Sequence, residues 1–198
     1  PVRGVRIEAA LLLADMPDEQ IPAADLDRFQ RAAADYLAAQ ELTGDRPEGR
    51  ANAGRFLARR GRPAGAEAAF RGAIELAPDF LPAYLDLADL LAQGGRDAEA
   101  EGLLRRVLAQ APGDPTVEHA LGLNLVRQHR TEEALAALGR AAELDPGNPR
   151  FGYVHAVALH DAGRLEAALD VLERVQRLHP DDRDVLVALI AFSQERGD

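Results

Sequence analysis

Apolar residues recur along this chain at three- and four-residue spacing, in short runs broken by glycine, proline and acidic turns. Ala66, Ala69, Phe70, Ala73, Ile74 and Leu76 form one such run, and Tyr84, Leu87, Leu90 and Leu91 another. This spacing lays a single apolar stripe along a helix of 3.6 residues per turn. The runs are themselves periodic. Pro78, Pro112, Pro146 and Pro180 stand 34 residues apart, and Ala66, Ala100, Ala134 and Ala168 come twelve residues before them. Gly61, Gly95, His129 and Gly163 come five residues earlier still. A fixed period of this size marks a stack of one supersecondary unit, so function is sought on a surface and not in a catalytic pocket.

Counted from Pro47, four complete units span 47–80, 81–114, 115–148 and 149–182, and a fifth starts at Arg183 and holds one helix to 198. Each unit predicts two helices joined by a short turn, Gly61-Arg62, Gly95-Arg96, His129-Arg130 or Gly163-Arg164. Glycine there supplies the positive φ that ends a helix. His129 breaks the pattern, so strain or an altered turn is expected at that point. Asp97 and Thr131 read as helix caps, as do Asp114 before Pro115 and Asn148 before Pro149. Upstream, Ala32, Tyr36 and Ala39 fall on second-helix positions of a preceding unit. A helix from about Ala23 to Leu42 therefore caps the array over 23–46, with an N-terminal helix and linker in 1–22.

From about residue 24 to 198 this layout resembles the tetratricopeptide repeat family. The eighth position, small in that family, is Gly54, Ala88, Gly122 and Ala156, and the twentieth is alanine throughout. Small residues at both places let the paired helices approach closely. The twenty-seventh holds Ala73, Val107, Ala141 and Val175, whereas the fourth (Arg50, Tyr84, Glu118, Gly152) matches only loosely. The resemblance implies an all-α fold, a right-handed α-solenoid with N-terminal cap helices and a C-terminal half repeat. Val5-Arg6-Ile7-Glu8-Ala9-Ala10-Leu11-Leu12-Leu13 also resembles the second helix at the end of a HEAT repeat. The combination is similar, weakly, to the tails of bacterial multihaem cytochrome proteins, although no CxxCH haem-attachment pattern occurs.

Composition narrows the function. Alanine and leucine carry the 47% hydrophobic fraction and aromatics only 5%, which favours close helix packing. The net charge of −10 argues against a nucleic-acid partner and against a membrane surface. No run of 18 apolar residues predicts membrane insertion. All 23 basic residues are arginines, each able to form a two-pronged bond to a carboxylate. The absence of cysteine excludes a disulfide or thiolate metal site within these residues. The chain begins at Pro1 without a signal-like stretch and reads as a fragment of a longer protein. Both cytoplasm and periplasm stay open.

No catalytic residues are expected: the chain has no cysteine and a single serine, Ser193, on the last helix, so a nucleophile with an activating base is not in sight. Among the five histidines, His155 and His160 are five apart and diverge around a helix, so no metal site is expected. His155 falls on an inward position and should be partly buried and hydrogen-bonded. Paired carboxylates such as Glu132-Glu133 and Asp181-Asp182 sit where they offset a helix dipole. No phosphate loop or metalloprotease pattern supports a cofactor.

The resemblance places the first helix of every unit on a concave groove. The residues it puts there are Asn52, Arg55, Arg59, Leu85, Asp89, His119, Leu123, Arg127, Tyr153, Val157 and His160, with Asp86 and Gln93 beside them. An apolar middle bordered by arginines suits an extended or helical peptide, with tyrosine as anchor and arginine forks for carboxylates. The family's carboxylate clamp is broken here by Ala51, Arg55 and Asp86, and its asparagine ladder by Asp86, Ala120 and Val154. The leading expectation is a non-enzymatic scaffold binding a protein or peptide segment. The alternatives are a spacer or self-assembly module of a larger protein, such as an accessory domain of a periplasmic multihaem redox protein. Leu186, Leu189 and Ile190 on the last helix would leave an uncovered flank open to a homodimer.

Overall fold

A computed structural model describes residues 2–197. In those residues the chain forms eleven α-helices and one short 3₁₀ turn, Asp18–Gln20, with no strand. The helices are α1 (Arg3–Leu12), α2 (Ala23–Glu41), α3 (Pro47–Arg59), α4 (Pro63–Leu76), α5 (Leu81–Gln93), α6 (Asp97–Gln110), α7 (Pro115–Arg127), α8 (Thr131–Leu144), α9 (Pro149–Asp161), α10 (Leu165–Leu178) and α11 (Arg183–Arg196). From α5 onward every helix starts 34 residues after the helix two before it, an α-solenoid of helical repeats. The chain divides between Gly94 and Gly95 into two compact units, one holding α1 to α5 and the other α6 to α11.

The small positions do what the pattern requires. A Cβ at Gly54 would lie 2.5 Å from the ring of Phe70, and one at Gly122 would lie 2.6 Å from Cγ of Leu138. The eighth position of one helix is thus occupied by a large side chain from the twenty-fourth position of its partner. At the twentieth position Ala66, Ala100, Ala134 and Ala168 are all buried. In the first unit α1 and α2 add a pair outside the strict repeat: Ala10, Ala14, Ala32, Tyr36 and Phe56 form one core cluster. In the second, Leu135, Ala156, Leu159, Ala168, Leu172 and Val185 belong to a cluster against which Leu189 and Phe192 also pack.

The turns repeat as well. Gly61, Gly95 and Gly163 take φ of 64°, 71° and 74°, and His129 takes 58°. His129 therefore keeps the left-handed turn instead of altering it, at a strain of about 1–2 kcal/mol that glycine avoids. The Arg130 N–H still closes on the Leu125 carbonyl at 3.0 Å, as Arg62 closes on Leu57 at 2.9 Å.

The caps divide in two. Asp114 accepts from the N–H groups of Thr116 and Val117, and Asn148 from that of Arg150, as expected. Asp97 and Thr131 are not caps: each is the first residue inside its helix, and the residues before them, Arg96 and Arg130, make no side-chain cap bond. The Asp97 carboxylate is instead held from the side by Asn124 and Arg127.

Candidate functional site

The expected face lies on α3 and α5 in the first unit and on α7 and α9 in the second. In the first, Asn52, Arg55 and Arg59 lie along α3 at i, i+3 and i+7, and each polar group is already engaged. Arg55 Nη1 donates to Asn52 Oδ1 at 3.0 Å, and its Nη2 lies 2.8 Å from Asp86 Oδ2. The approach to Asp86 is an ion pair without good hydrogen-bond alignment, since that oxygen has no hydrogen-bond partner. Burial pushes the Asp86 carboxyl up from its ordinary value, and the Arg55 guanidinium opposes the shift. Arg59 forks Asp15 at 2.8 and 2.6 Å and reaches the Leu11 carbonyl at 3.1 Å. That hydrogen-bonded pair holds Asp15 below the usual carboxylate range. Leu85 is half-buried on α5 and Asp89 is exposed.

In the second unit α7 and α9 carry the face. His119 is only 8% exposed, tilted against Phe151 at 4.9 Å between ring centres, and its buried Nδ1 has no hydrogen-bond partner. Burial, with the positive charge of Arg150, lowers its pKa and favours the neutral imidazole. Leu123, Tyr153 and Val157 are half-buried. Arg127 donates through Nε to Asp97 at 2.8 Å. His160 turns toward α11: its ring stacks on Phe192 at 4.1 Å and its Nε2 lies 2.7 Å from Glu195, which raises its pKa.

The arginines thus differ from the expected open forks. Arg55, Arg59 and Arg127 each hold a carboxylate of this chain, supplied by Asp86, Asp15 and Asp97. The apolar side chains of the face, Leu85, Leu123, Tyr153 and Val157, stay half-buried. The expected open flank of α11 is also revised: Leu186, Val187 and Ile190 are 37%, 58% and 60% exposed, while Leu189 packs inward.

The sequence reading missed a buried polar hub between α6 and α7. Asn124, fully buried, donates to Asp97 at 3.0 Å and accepts from Gln128 at 2.7 Å. Gln128 also donates to Glu101, which takes further bonds from Arg105 and Arg130. Desolvation pushes the Glu101 carboxyl up, but the three donors outweigh it and bring its pKa down to about 2. Nearby, Glu118 is 7% exposed and receives a bidentate Arg140 at 2.9 and 2.7 Å. The recoverable signal was the amides Asn124 and Gln128, one turn apart, each set 27 residues after an acid, Asp97 or Glu101.

Among the described residues no group of three or more histidines and carboxylates is placed to hold a metal, and no helix is long and apolar enough to cross a membrane.

Known proteins match this fold. Two family models described as Tetratricopeptide repeat match the chain, one at residues 57–122 and 125–191 and the other at 23–80. No curated protein matches in sequence. Among solved structures, TTC0263, a thermophilic TPR protein of Thermus thermophilus, aligns with a TM-score of 0.68 at 18% identity, over 98% of this chain and 100% of that one. MamA of Desulfovibrio magneticus RS-1 aligns at 0.63 and 19% identity, over 90% and 97%. YrrB, described as a TPR protein with an unusual peptide-binding site, aligns at 0.59 and 22% identity, over 92% and 89%. These likenesses are of fold. With family models matched in register over most of its length, the chain belongs to the tetratricopeptide repeat family.

Proposed function

We propose that this protein is a non-enzymatic interaction scaffold that holds a peptide or protein segment against the first-helix faces of its repeats, reading apolar side chains and not carboxylates. One observation carries the reading. Leu123, Tyr153 and Val157 are half-buried on α7 and α9, with Tyr153 also packed against the core cluster, while the cation beside them, Arg127, is neutralised by Asp97. An amphipathic aromatic on a rigid helix is a strong anchor, and half-exposed aliphatic neighbours supply the area it packs with. Breaking Arg127 from Asp97 to receive a partner's carboxylate would exchange one ion pair for another, with little net gain.

The test is selection of random dodecapeptides displayed on phage, followed by titration of a selected peptide. Enrichment of aliphatic and aromatic residues is expected, with binding lost in a Leu123→Asp, Tyr153→Ala double variant that keeps the wild-type helical circular dichroism. Undiminished binding to that variant would remove the face from the account.

A second reading, self-assembly through α11, is favoured by the exposure of Val187 and Ile190. Light scattering decides it: a dimer that becomes monomeric in Val187→Glu, Ile190→Glu supports self-assembly, and a monomeric wild type at high concentration rejects it.

A further inference from the structure

Four arginines occupy the sixteenth position of the repeat, directly after the turn: Arg62, Arg96, Arg130 and Arg164. Three of them close on glutamates carried by helices. Arg96 forks Glu99 with two bonds of 2.7 Å. Arg130 holds Glu133 at 2.8 and 2.6 Å and Glu101 at 2.6 Å. Arg164 pairs with Glu132. Arg62 has no ion pair or side-chain hydrogen bond among the described residues. The register says why. Where Glu99 and Glu133 stand in later units the first has Gly65, and the counterparts of Glu132 and Glu101, one unit upstream, are Gln30 and Ala33. The arginine is kept and every acid that would close it is gone.

Arg62, exposed, borders a cavity of about 340 Å³ within the first unit, with Gln30 and Asp18 also in its polar lining and Phe29, Leu37 and Leu57 among its apolar lining. Arg60, also on its wall, is already used: it lies over the Phe29 ring at 4.6 Å and holds Asp18 and the Met16 carbonyl. An unpaired guanidinium beside an apolar wall calls for a ligand with a carboxylate and an apolar group a few ångströms apart.

We propose that this cavity binds a partner segment presenting a glutamate one helical turn from an aliphatic or aromatic side chain. The glutamate takes Arg62, as helix-borne glutamates take its three counterparts, and the apolar group fills the wall of Phe29, Leu37 and Leu57. Residues four apart share a helix face, so one short amphipathic helix supplies both groups. The site uses residues outside the first-helix face proposed above, so either can fail without the other.

The test uses the full chain, ¹⁵N-labelled, titrated with an acetylated and amidated alanine-glutamine helix of roughly 14 residues that carries one leucine and a glutamate four positions on. Shifts confined to the amides around Phe29, Ala33, Leu57 and Arg62 are expected. Replacing the peptide's glutamate by glutamine should weaken binding by about tenfold or more, the loss of a charge-assisted bond. Arg62→Gln should do the same. Gln30→Glu, which restores the acid that Glu132 offers Arg164, should close the site with the melting temperature unchanged or raised. Equal binding of the glutamine peptide, unaltered binding to either variant, or no shifts near Arg62 would overturn the proposal. So would Arg62-dependent binding of N-acetyl-leucine in place of the glutamate helix, because the carboxylate would then be that of a chain end.

Discussion

Of the four tenth positions of the repeat, Phe56 and Leu90 lie in the unit that ends at Gly94 and Asn124 and Ala158 in the unit that begins at Gly95; Phe56 and Asn124 are the buried ones, at 2% and 0% exposure. Phe56 lies 4.8 Å from Tyr36, ring centre to ring centre, and clusters with Ala10, Ala14 and Ala32, so it seats a helix pair that does not follow the strict repeat. Asn124 faces carboxylate and amide, and ties α7 to α6 by directed bonds. The same contrast runs through both cores. Phe29, Tyr36, Phe56, Phe70 and Tyr84 are buried in the first unit, whereas the polar residues buried among those described, Glu118, His119 and Asn124, all belong to the second. The small residues at the eighth and twentieth positions fix how two helices nest. The tenth then decides what kind of neighbour can be joined: apolar burial accepts an irregular partner, while a hydrogen-bond hub demands one geometry.

The comparison breaks most sharply at that tenth position. Phe56→Ala should cost about 3–5 kcal/mol by urea unfolding, a cavity plus lost transfer energy. It should also release α1 and α2, seen as faster amide exchange there than in α8. Asn124→Ala should cost about 1–3 kcal/mol, the loss of a buried donor and acceptor that leaves Gln128 and Asp97 short of partners. Equal effects of the two variants would mean that the tenth position is generic filling.

The nesting rule shared by both units is tested by Ala134→Leu, expected to destabilise by about 1–3 kcal/mol through overpacking. Its neighbour Glu132→Ala, which removes only an exposed pair with Arg164, should stay within about 0.5 kcal/mol. Similar melting temperatures for these two would contradict the packing scheme.

A smaller effect separates the second unit by pH. Glu101, held down to about 2 from an ordinary 4.5, contributes stability that is present above about pH 4.5 and is lost as pH falls from there toward 2. Glu101→Gln should flatten the stability curve over that interval and leave the shape above pH 5 unchanged. An unaltered acid limb would show that the three donors do not stabilise the carboxylate.

Much of this architecture was legible in the sequence, for a physical reason. A helix pair that buries one stripe must place its small residues, its positive-φ turn and its capping residue at fixed offsets, so Gly54, Gly61, Ala66 and Asp114 announce themselves. His129 was legible as an anomaly, and the fold absorbs it as local strain. The ion pairs were not legible. Arg59 finds Asp15 across 44 residues and Asn124 finds Asp97 across 27, and such pairings depend on where neighbouring helices place long side chains. Hence the sequence alone leaves the arginines of the candidate face open and makes Asp97 and Thr131 look like caps.

The most direct test of the account is the salt dependence of binding for a selected peptide, measured for the wild type, Tyr153→Ala and Arg127→Ala. Recognition by apolar side chains predicts a Kd that changes by less than about threefold between 50 and 500 mM salt, since screening acts on exposed charge. It also predicts at least a tenfold loss in Tyr153→Ala, on the order of 1.4 kcal/mol, and little change in Arg127→Ala. Binding that collapses with salt and with Arg127→Ala, yet survives Tyr153→Ala, would contradict it.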